Sequence, residues 1–336
     1  MAIINSTNSN QPLLTIAIPT YNRASYLDLC LRRISEEIDS LNEDQRSLIK
    51  VYVSDNASTD TTRNTIDHYR FKLSDIFEAV CNSENIGGDA NIKQCYEMVT
   101  TPYVWIFGDD DVLLSGGLQL VLDNLTEQKV DILYVNNYGF GDNYLMKPIQ
   151  KEMHIVKIFE VALDFCRRTN IALTFISAVI VRSNIGLEFR DELMASNLVQ
   201  FSWVLPLLSD GSYFLYIENY VVAAKADNSS GYELVKVFGN NLKCITDHIL
   251  KDKPEIAKTI QNGAIVNFFP SYILNFRHGS SKFSDDDMET GLYMAFSKNW
   301  RYYIFLSPLL RLPLSIATYY NVILKIFRRL FRFILV

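Results

Sequence analysis

The chain has 336 residues, enough for one large domain or two modest ones, and a 49% apolar composition without low-complexity tracts excludes a disordered protein. Its net charge of −6 is unevenly spread: after Glu289 there is no acidic residue, and seven Lys and Arg give +7, so residues 1–289 carry −13, the difference between −6 and +7. An acidic body with a basic, apolar tail points to an anionic surface as partner and away from nucleic acid.

The opening MAIINSTNSNQP lacks the basic start and apolar run of a signal peptide. Five cysteines (30, 81, 95, 166, 244) are odd in number and form no CxxC pair. A reduced, cytoplasmic body is expected. LLTIAI (13–18), closed by Pro19, predicts a buried strand, and residues 24–40 a helix with Tyr26, Leu27, Cys30, Leu31 and Ile34 on one side. KVYVS (50–54) predicts a second strand, ended by DNASTD, where Thr59 or Asp60 can cap the next helix. FEAVCN (77–82) follows as a strand and the stretch after Gly87-Gly88 as a helix. YVWIF (103–107) is a fourth strand, 118–125 a helix and DILYVN (131–136) a fifth strand. Such alternation predicts a parallel sheet with helices on both faces. Further on, FISAVIV (175–181) reads as a strand, 198–208 as a buried helix, 213–226 as a long strand or strand pair, and 234–276 as mostly helical.

The polar clusters PTYNR, SDNASTD, NSENIGGDAN and GDDD each stand where a strand has just ended. Ligands of such sheets gather at the carboxyl ends of the strands, so four clusters at that edge define one site. In GDDD, Asp109, Asp110 and Asp111 follow a buried strand directly. Two readings stay open: a solvated turn opening a helix, or a hard cation, Mg2+ or Mn2+, held by few carboxylates while phosphate oxygens and water complete its shell. The four histidines (68, 154, 248, 278) lie in no motif.

TIAIPTYNRASYL, VSDNASTDTT, NSENIGGDANI and VWIFGDDDVL, in this order, resemble the family-two glycosyltransferases of GT-A fold, closest to bacterial O-antigen enzymes of the abequosyltransferase type. The resemblance covers residues 13–125 strongly and 170–232 weakly. It implies an α/β GT-A architecture, a mixed sheet flanked by helices, and transfer of a sugar from a nucleotide diphosphate to a lipid-linked or polysaccharide acceptor in bacterial surface-glycan synthesis. Pro19, Thr20, Tyr21 and Arg23 would line the nucleotide pocket; Asp55 and Asn56 would recognise base or ribose; Asn85, Gly88, Asp89 and Asn91 would form the adjacent wall. The usual Asp-x-Asp-Asp metal motif has Gly108 in place of its first carboxylate. Asp110 is then the chief ligand of Mn2+ or Mg2+, with Asp109 and Asp111 as helpers and Asp109 also at the nucleotide sugar.

A second departure concerns the base. Many family members carry Glu-Asp at the start of the acceptor-side helix, where this chain has SNLVQFSWVL, with no carboxylate. The nearest carboxylates are Asp191 and Glu192, as catalytic base or as an exposed polar turn. KADNSSGY (225–232) resembles the loop that closes over the diphosphate, with Lys225 meeting a phosphate and Asn228 or Ser229 donating to it.

In the tail, residues 302–324 are long enough to span a bilayer, but Pro308, Arg311 and Pro313 interrupt them. Lys325, Arg328, Arg329 and Arg332 follow i, i+3, i+4, i+7 spacing among apolar residues. The pattern predicts an interfacial helix on anionic lipid, or else a helix docked on the body or on a second subunit, which leaves a homo-oligomer open. The expected organisation is a GT-A domain over 1–232 (nucleotide half 13–125, acceptor half 126–232), a helical extension over 233–299 and a membrane-associating tail over 300–336. The protein is placed on the cytoplasmic face of the cell membrane. The competing reading is a non-catalytic sugar-nucleotide-binding scaffold of a polysaccharide assembly.

Overall fold

The structure, a computed structural model, describes residues 11–127, 129–149, 155–183, 185, 193–226, 233–279, 287–331 and 335–336. The chain forms two compact units, one of residues 1–158, 175–187 and 215–226, the other of 159–174, 188–214 and 227–336. Segments 159–174 and 188–214, expected in the acceptor half, therefore group with the C-terminal helices.

In the first unit the apolar runs become strands and the periodic stretches helices: β1 (Leu14–Thr20), α1 (Ala24–Asp39), a short α2 (Glu43–Ser47), β2 (Ile49–Asp55), α3 (Thr62–Leu73), β3 (Phe77–Cys81), α4 (Gly88–Glu97) and β4 (Tyr103–Ile106). β5 (Val112–Leu113), α5 (Gly117–Glu127), β6 (Ile132–Phe140), β7 (Val156–Phe159), β8 (Val179–Arg182) and β9 (Phe214–Lys225) complete the sheet. α1 buries Leu27, Cys30, Leu31 and Ile34 as its spacing requires, while Tyr26 is exposed. α3 receives its cap from upstream, where Asp60 Oδ1 accepts the Thr62 N–H at 2.9 Å.

The strand order is β3-β2-β1-β4-β8-β6-β9-β5, with β7 on β9. β3, β2, β1 and β4 run parallel, as helical crossovers demand. The all-parallel expectation ends there. β8 lies antiparallel to β4 and to β6, and β5 antiparallel to β9, so the sheet is mixed. FISAVIV is also shorter as a strand than its apolar pattern suggests: Ile176–Ala178 form a 3₁₀ turn and only then does β8 begin.

The second unit is helical: α6 (Ala162–Thr169), α7 (Phe201–Asp210), α8 (Leu242–Ile249), α9 (Pro254–Gly263), α10 (Phe269–Arg277), α11 (Met288–Phe296), α12 (Ser307–Arg311) and α13 (Leu314–Leu330). π-helical turns at Ala264–Phe268 and Tyr302–Leu306 lead into α10 and α12. Gly263 is a point of close approach, since a Cβ there would stand 2.6 Å from Asn170 Oδ1 and 2.8 Å from the Ile171 backbone nitrogen.

Two prolines explain how α13 is seated. Pro270 and Pro308 cannot offer the N–H that an α-helical turn would give to the carbonyls of Val266 and Ile304. Side chains of α13 donate to both: Arg328 Nη1 to Val266 O at 2.8 Å and Tyr320 Oη to Ile304 O at 3.0 Å. Ala317, Asn321 and Leu324 are buried beside them. The expected four-cation stripe is thereby corrected, because Arg328 turns inward onto its own unit while Lys325 and Arg329 stay exposed; Arg332 lies outside the described residues. The outward arc of α13 is apolar, with Ile316, Tyr319, Val322, Ile323, Ile326, Phe327 and Leu330 exposed. Among the described residues no helix is long and apolar enough to cross a membrane.

Candidate active site

The parallel register brings the strand ends into one row: Thr20 pairs with Asp55 and Asp55 with Cys81, while β4 runs beside β1 up to Ala17 and Ile106. The chain order reverses between β1 and β4, and there the acidic turn meets the PTYNR loop. Phe107 N donates to Ala17 O at 2.8 Å, carrying the pairing one residue past β4 and setting Gly108 and the aspartates just beyond the sheet edge.

The three adjacent aspartates have different surroundings. Asp109 is buried; Thr20 Oγ1 donates to its Oδ2 at 2.7 Å and Arg23 Nη1 to its Oδ1 at 3.0 Å. Burial pushes the Asp109 carboxyl up to about 6, against the opposing charge of Arg23. Asp111 is also buried, its Oδ2 accepting from Ser177 Oγ at 2.5 Å and its Oδ1 from the Lys225 N–H at 2.9 Å. Burial holds its carboxyl well above the usual range, and the neighbouring Asp110 charge adds to the shift. Asp110 is the most accessible of the three, with 16% of its side chain exposed against 5% for Asp109, and Arg23 Nη1 lies 3.4 Å from its Oδ2.

The loops around this turn are knitted together by their own polar side chains. Asn22, at φ 51°, accepts from Thr59 N at 2.7 Å, and its own N–H donates to Ser58 Oγ at 2.8 Å. Asp55 accepts from the Ser58 N–H at 3.0 Å and from Cys81 Sγ at 3.4 Å. It lines a cleft with Arg63, Asp67, Arg70 and Cys81. Asn56 holds the next loop, donating to Asn85 Oδ1 and accepting from the Ile86 N–H, both at 2.9 Å. Asn91 exchanges hydrogen bonds with Ser54, at 2.6 Å to the hydroxyl and 3.0 Å to the carbonyl. Gly87 needs its φ of +90°, whereas Gly88 faces open space.

At this sheet edge Pro19 and Thr20 end β1 and Asp55 ends β2, Tyr21, Arg23, Asn56 and Asn85 stand in the loops that follow, Gly88, Asp89 and Asn91 open α4, and Tyr21 is exposed. Asn56, Asp89 and Asn91 are buried, and Asn56 and Asn91 shape the loops from within. Lys225 reaches Phe140, its Nζ 5.3 Å from the ring centroid, and donates to the Gly141 carbonyl. Asp191, Glu192, Asn228 and Ser229 lie outside the described residues. Sequence reasoning missed Ser177 and Arg63. The signal for Ser177 was present, a hydroxyl inside an otherwise apolar run.

A mixed α/β sheet of this order, with loops and an acidic turn collected at its switch point, has the GT-A architecture. Residues 15–188, just over half the chain, match the model of glycosyl transferase family 2, and the chain belongs to that family. Over 116 residues it is 36% identical to abequosyltransferase RfbV of Salmonella typhimurium, covering 34% of this chain and 33% of that protein. Over 148 residues it is 27% identical to the GalNAc(5)-diNAcBac-PP-undecaprenol beta-1,3-glucosyltransferase of Campylobacter jejuni, covering 44% of this chain and 42% of that one. The matches span about a third to two fifths of these relatives. In fold the chain is similar to S. aureus TarS 1–349 in complex with UDP, at TM-score 0.57 and 18% identity over 93% of this chain and 88% of that one.

Proposed function

We propose that the protein transfers a hexosyl or deoxyhexosyl group from a nucleotide-diphosphate sugar to a lipid-linked or polysaccharide acceptor in bacterial surface-glycan synthesis of the O-antigen or capsule type. The observation that carries this reading is the Thr20–Asp109–Arg23–Asp110 cluster at the switch point of the sheet. It sets one accessible carboxylate and one guanidinium at the edge where a diphosphate docks in such folds. Relatives named for sugar transfer in glycan assembly support the class of reaction.

The turn suits a divalent cation that arrives with the donor. Among the described residues no three His, Cys, Asp or Glu side chains are grouped to hold a metal unaided. Asp109 and Asp111 are buried against protein donors, and Asp110, the most accessible of the three, is the carboxylate placed to meet the cation, with diphosphate oxygens and water filling the shell in the manner of Mg2+ or Mn2+. When bound, the cation neutralises charge on the departing diphosphate. Arg23 binds the same phosphates, Thr20 orients Asp109 to hold Arg23 in place, and Asp55 with Arg63 takes the base or ribose. The acceptor hydroxyl gives its proton to Asp191 or Glu192, since residues 193–209 contain no carboxylate.

The outward apolar arc of α13, flanked by Lys325 and Arg329, supports attachment to anionic lipid at the cytoplasmic face of the membrane, where a lipid-linked acceptor is presented. A thermal-shift panel of UDP-, GDP-, CDP- and dTDP-sugars with Mn2+ tests the donor site. Slow hydrolysis of the stabilising sugar nucleotide separates the enzyme from a non-catalytic scaffold, and absence of any shift across the panel overturns the reading.

A further inference from the structure

We infer that Ser177 is a positioning residue of the acidic turn: its hydroxyl, clasped between the Gly108 N–H and the Asp111 carboxylate, holds the turn so that Asp110 is the carboxylate presented to the donor. The inference rests on the reading of this turn as the diphosphate site. Ser177 Oγ accepts from Gly108 N at 2.8 Å and donates to Asp111 Oδ2 at 2.5 Å. The serine is itself tied down, because Trp105 Nε1 donates to its carbonyl at 2.8 Å and both residues are fully buried. Asp111 continues the chain of contacts to the Lys225 N–H, at the end of β9. One hydroxyl thus links three strands of the sheet, β4 through Gly108, β8 through its own 3₁₀ turn, and β9 through Asp111.

Crowding at Gly108 shows how tightly the clasp is drawn. A Cβ at this position would stand 2.9 Å from Asp111 Oδ2, 3.1 Å from Asp110 Oδ1 and 3.2 Å from Ser177 Oγ. The nearest of these atoms is the carboxylate oxygen that Ser177 pins. Any side chain at 108 would therefore push Asp111 off the serine, or displace Asp110 from its place. Gly108 and Ser177 form a matched pair: the glycine leaves room for the clasp, and the clasp fills the room. Asp111 then acts as a strut, and the accessible Asp110 takes its direction from the two rigid neighbours beside it.

The test measures Mn2+ binding by electron paramagnetic resonance, first without nucleotide and then with saturating UDP, GDP, CDP or dTDP, on the full chain. Ser177→Ala should raise the Mn2+ concentration for half-saturation in the presence of the bound nucleotide at least tenfold. Gly108→Ala, which keeps the serine, should do the same. Because both act on the same Asp111 oxygen, the double variant should be no worse than the poorer single one. A merely structural serine would lower the melting temperature and leave the metal dependence unchanged. That result in Ser177→Ala, or wild-type affinity in Gly108→Ala, overturns the inference. If Ser177→Ala fails to fold, Gly108→Ala alone decides. Should the wild-type chain bind none of the four nucleotides with Mn2+, the functional reading itself fails and takes this inference with it.

Discussion

Arg23 Nη1 stands 3.0 Å from Asp109 Oδ1, pairing a guanidinium at the helix entrance with a carboxylate that the sheet has buried. Asp109 could not stay ionised at this depth without a nearby cation and the Thr20 hydroxyl. The same guanidinium lies 3.4 Å from Asp110, so the cation that keeps Asp109 charged also neutralises part of the accessible carboxylate. In the donor site proposed here, folding and donor binding both draw on this one side chain.

Replacing Arg23 by Gln should lower both. Breaking a buried ion pair from one side costs about 3–5 kcal/mol, and the partial exposure of Arg23 reduces that to roughly 1–3 kcal/mol. Nucleotide affinity should fall about tenfold or more with the lost charge-assisted contacts. Adding Asp109→Asn should restore much of the stability, because the stranded charge is removed, without restoring affinity. Urea titration and nucleotide titration of the single and double variants check the two halves separately. Equal affinity in wild type and Arg23→Gln would remove the arginine from the donor site.

Asp110→Asn keeps the volume and removes the charge of the proposed metal ligand. Transfer should be abolished and metal-dependent nucleotide binding weakened, with the melting temperature within a few degrees of wild type. Asp111→Asn should differ in kind. It disturbs the Ser177 and Lys225 N–H contacts, so stability should fall along with binding. Near wild-type turnover of Asp110→Asn at limiting Mn2+ would count against its assignment.

The two sides of α13 should respond to mutation in opposite ways. Leu324→Ala on the buried side should cost roughly 2–4 kcal/mol, and Arg328→Ala about 1–3 kcal/mol by stranding the Val266 carbonyl. Neither change touches the outward arc. Replacing Ile316, Ile323 and Ile326 together by Gln should leave stability almost unchanged and reduce sedimentation with anionic vesicles more than tenfold. Vesicle binding that survives the triple change would assign the exposed arc to some other task.

The strands β1 to β4 and their polar endings were legible because each apolar run is closed by a turn-forming cluster, and local pattern alone decides such elements. β5, with two residues, and β7, with four, are too short to show a period. The short α2 carried a readable sign, a capping box in which Asn42 and Gln45 bond reciprocally, but its five residues show no apolar repeat. In the site, Asp109, Asp110 and Asp111 are equivalent as letters; Thr20, Arg23, Ser177 and Lys225 divide them into different tasks, and those partners come from distant parts of the chain. Arg328 likewise reads as one of a row of cations. Its partner exists because Pro270, on another helix, leaves a carbonyl free.

The base is the last point that mutation can decide. Inverting transfer needs a group within hydrogen-bond reach of the acceptor hydroxyl, and α7 begins with Phe201, Ser202 and Trp203, with no carboxylate in its first turn. Asp191 and Glu192 are the carboxylates nearest in sequence on its N-terminal side. The double variant Asp191→Asn, Glu192→Gln should bind sugar nucleotide with unchanged affinity and lose at least ~100-fold in turnover, the scale on which general-base catalysis acts. Its pH–rate profile should also lose the acidic limb that a titrating carboxylate gives the wild type. Each single variant then shows which residue carries the proton. Undiminished transfer by the double variant would place the base elsewhere in the chain, or identify the reaction as one that does not invert.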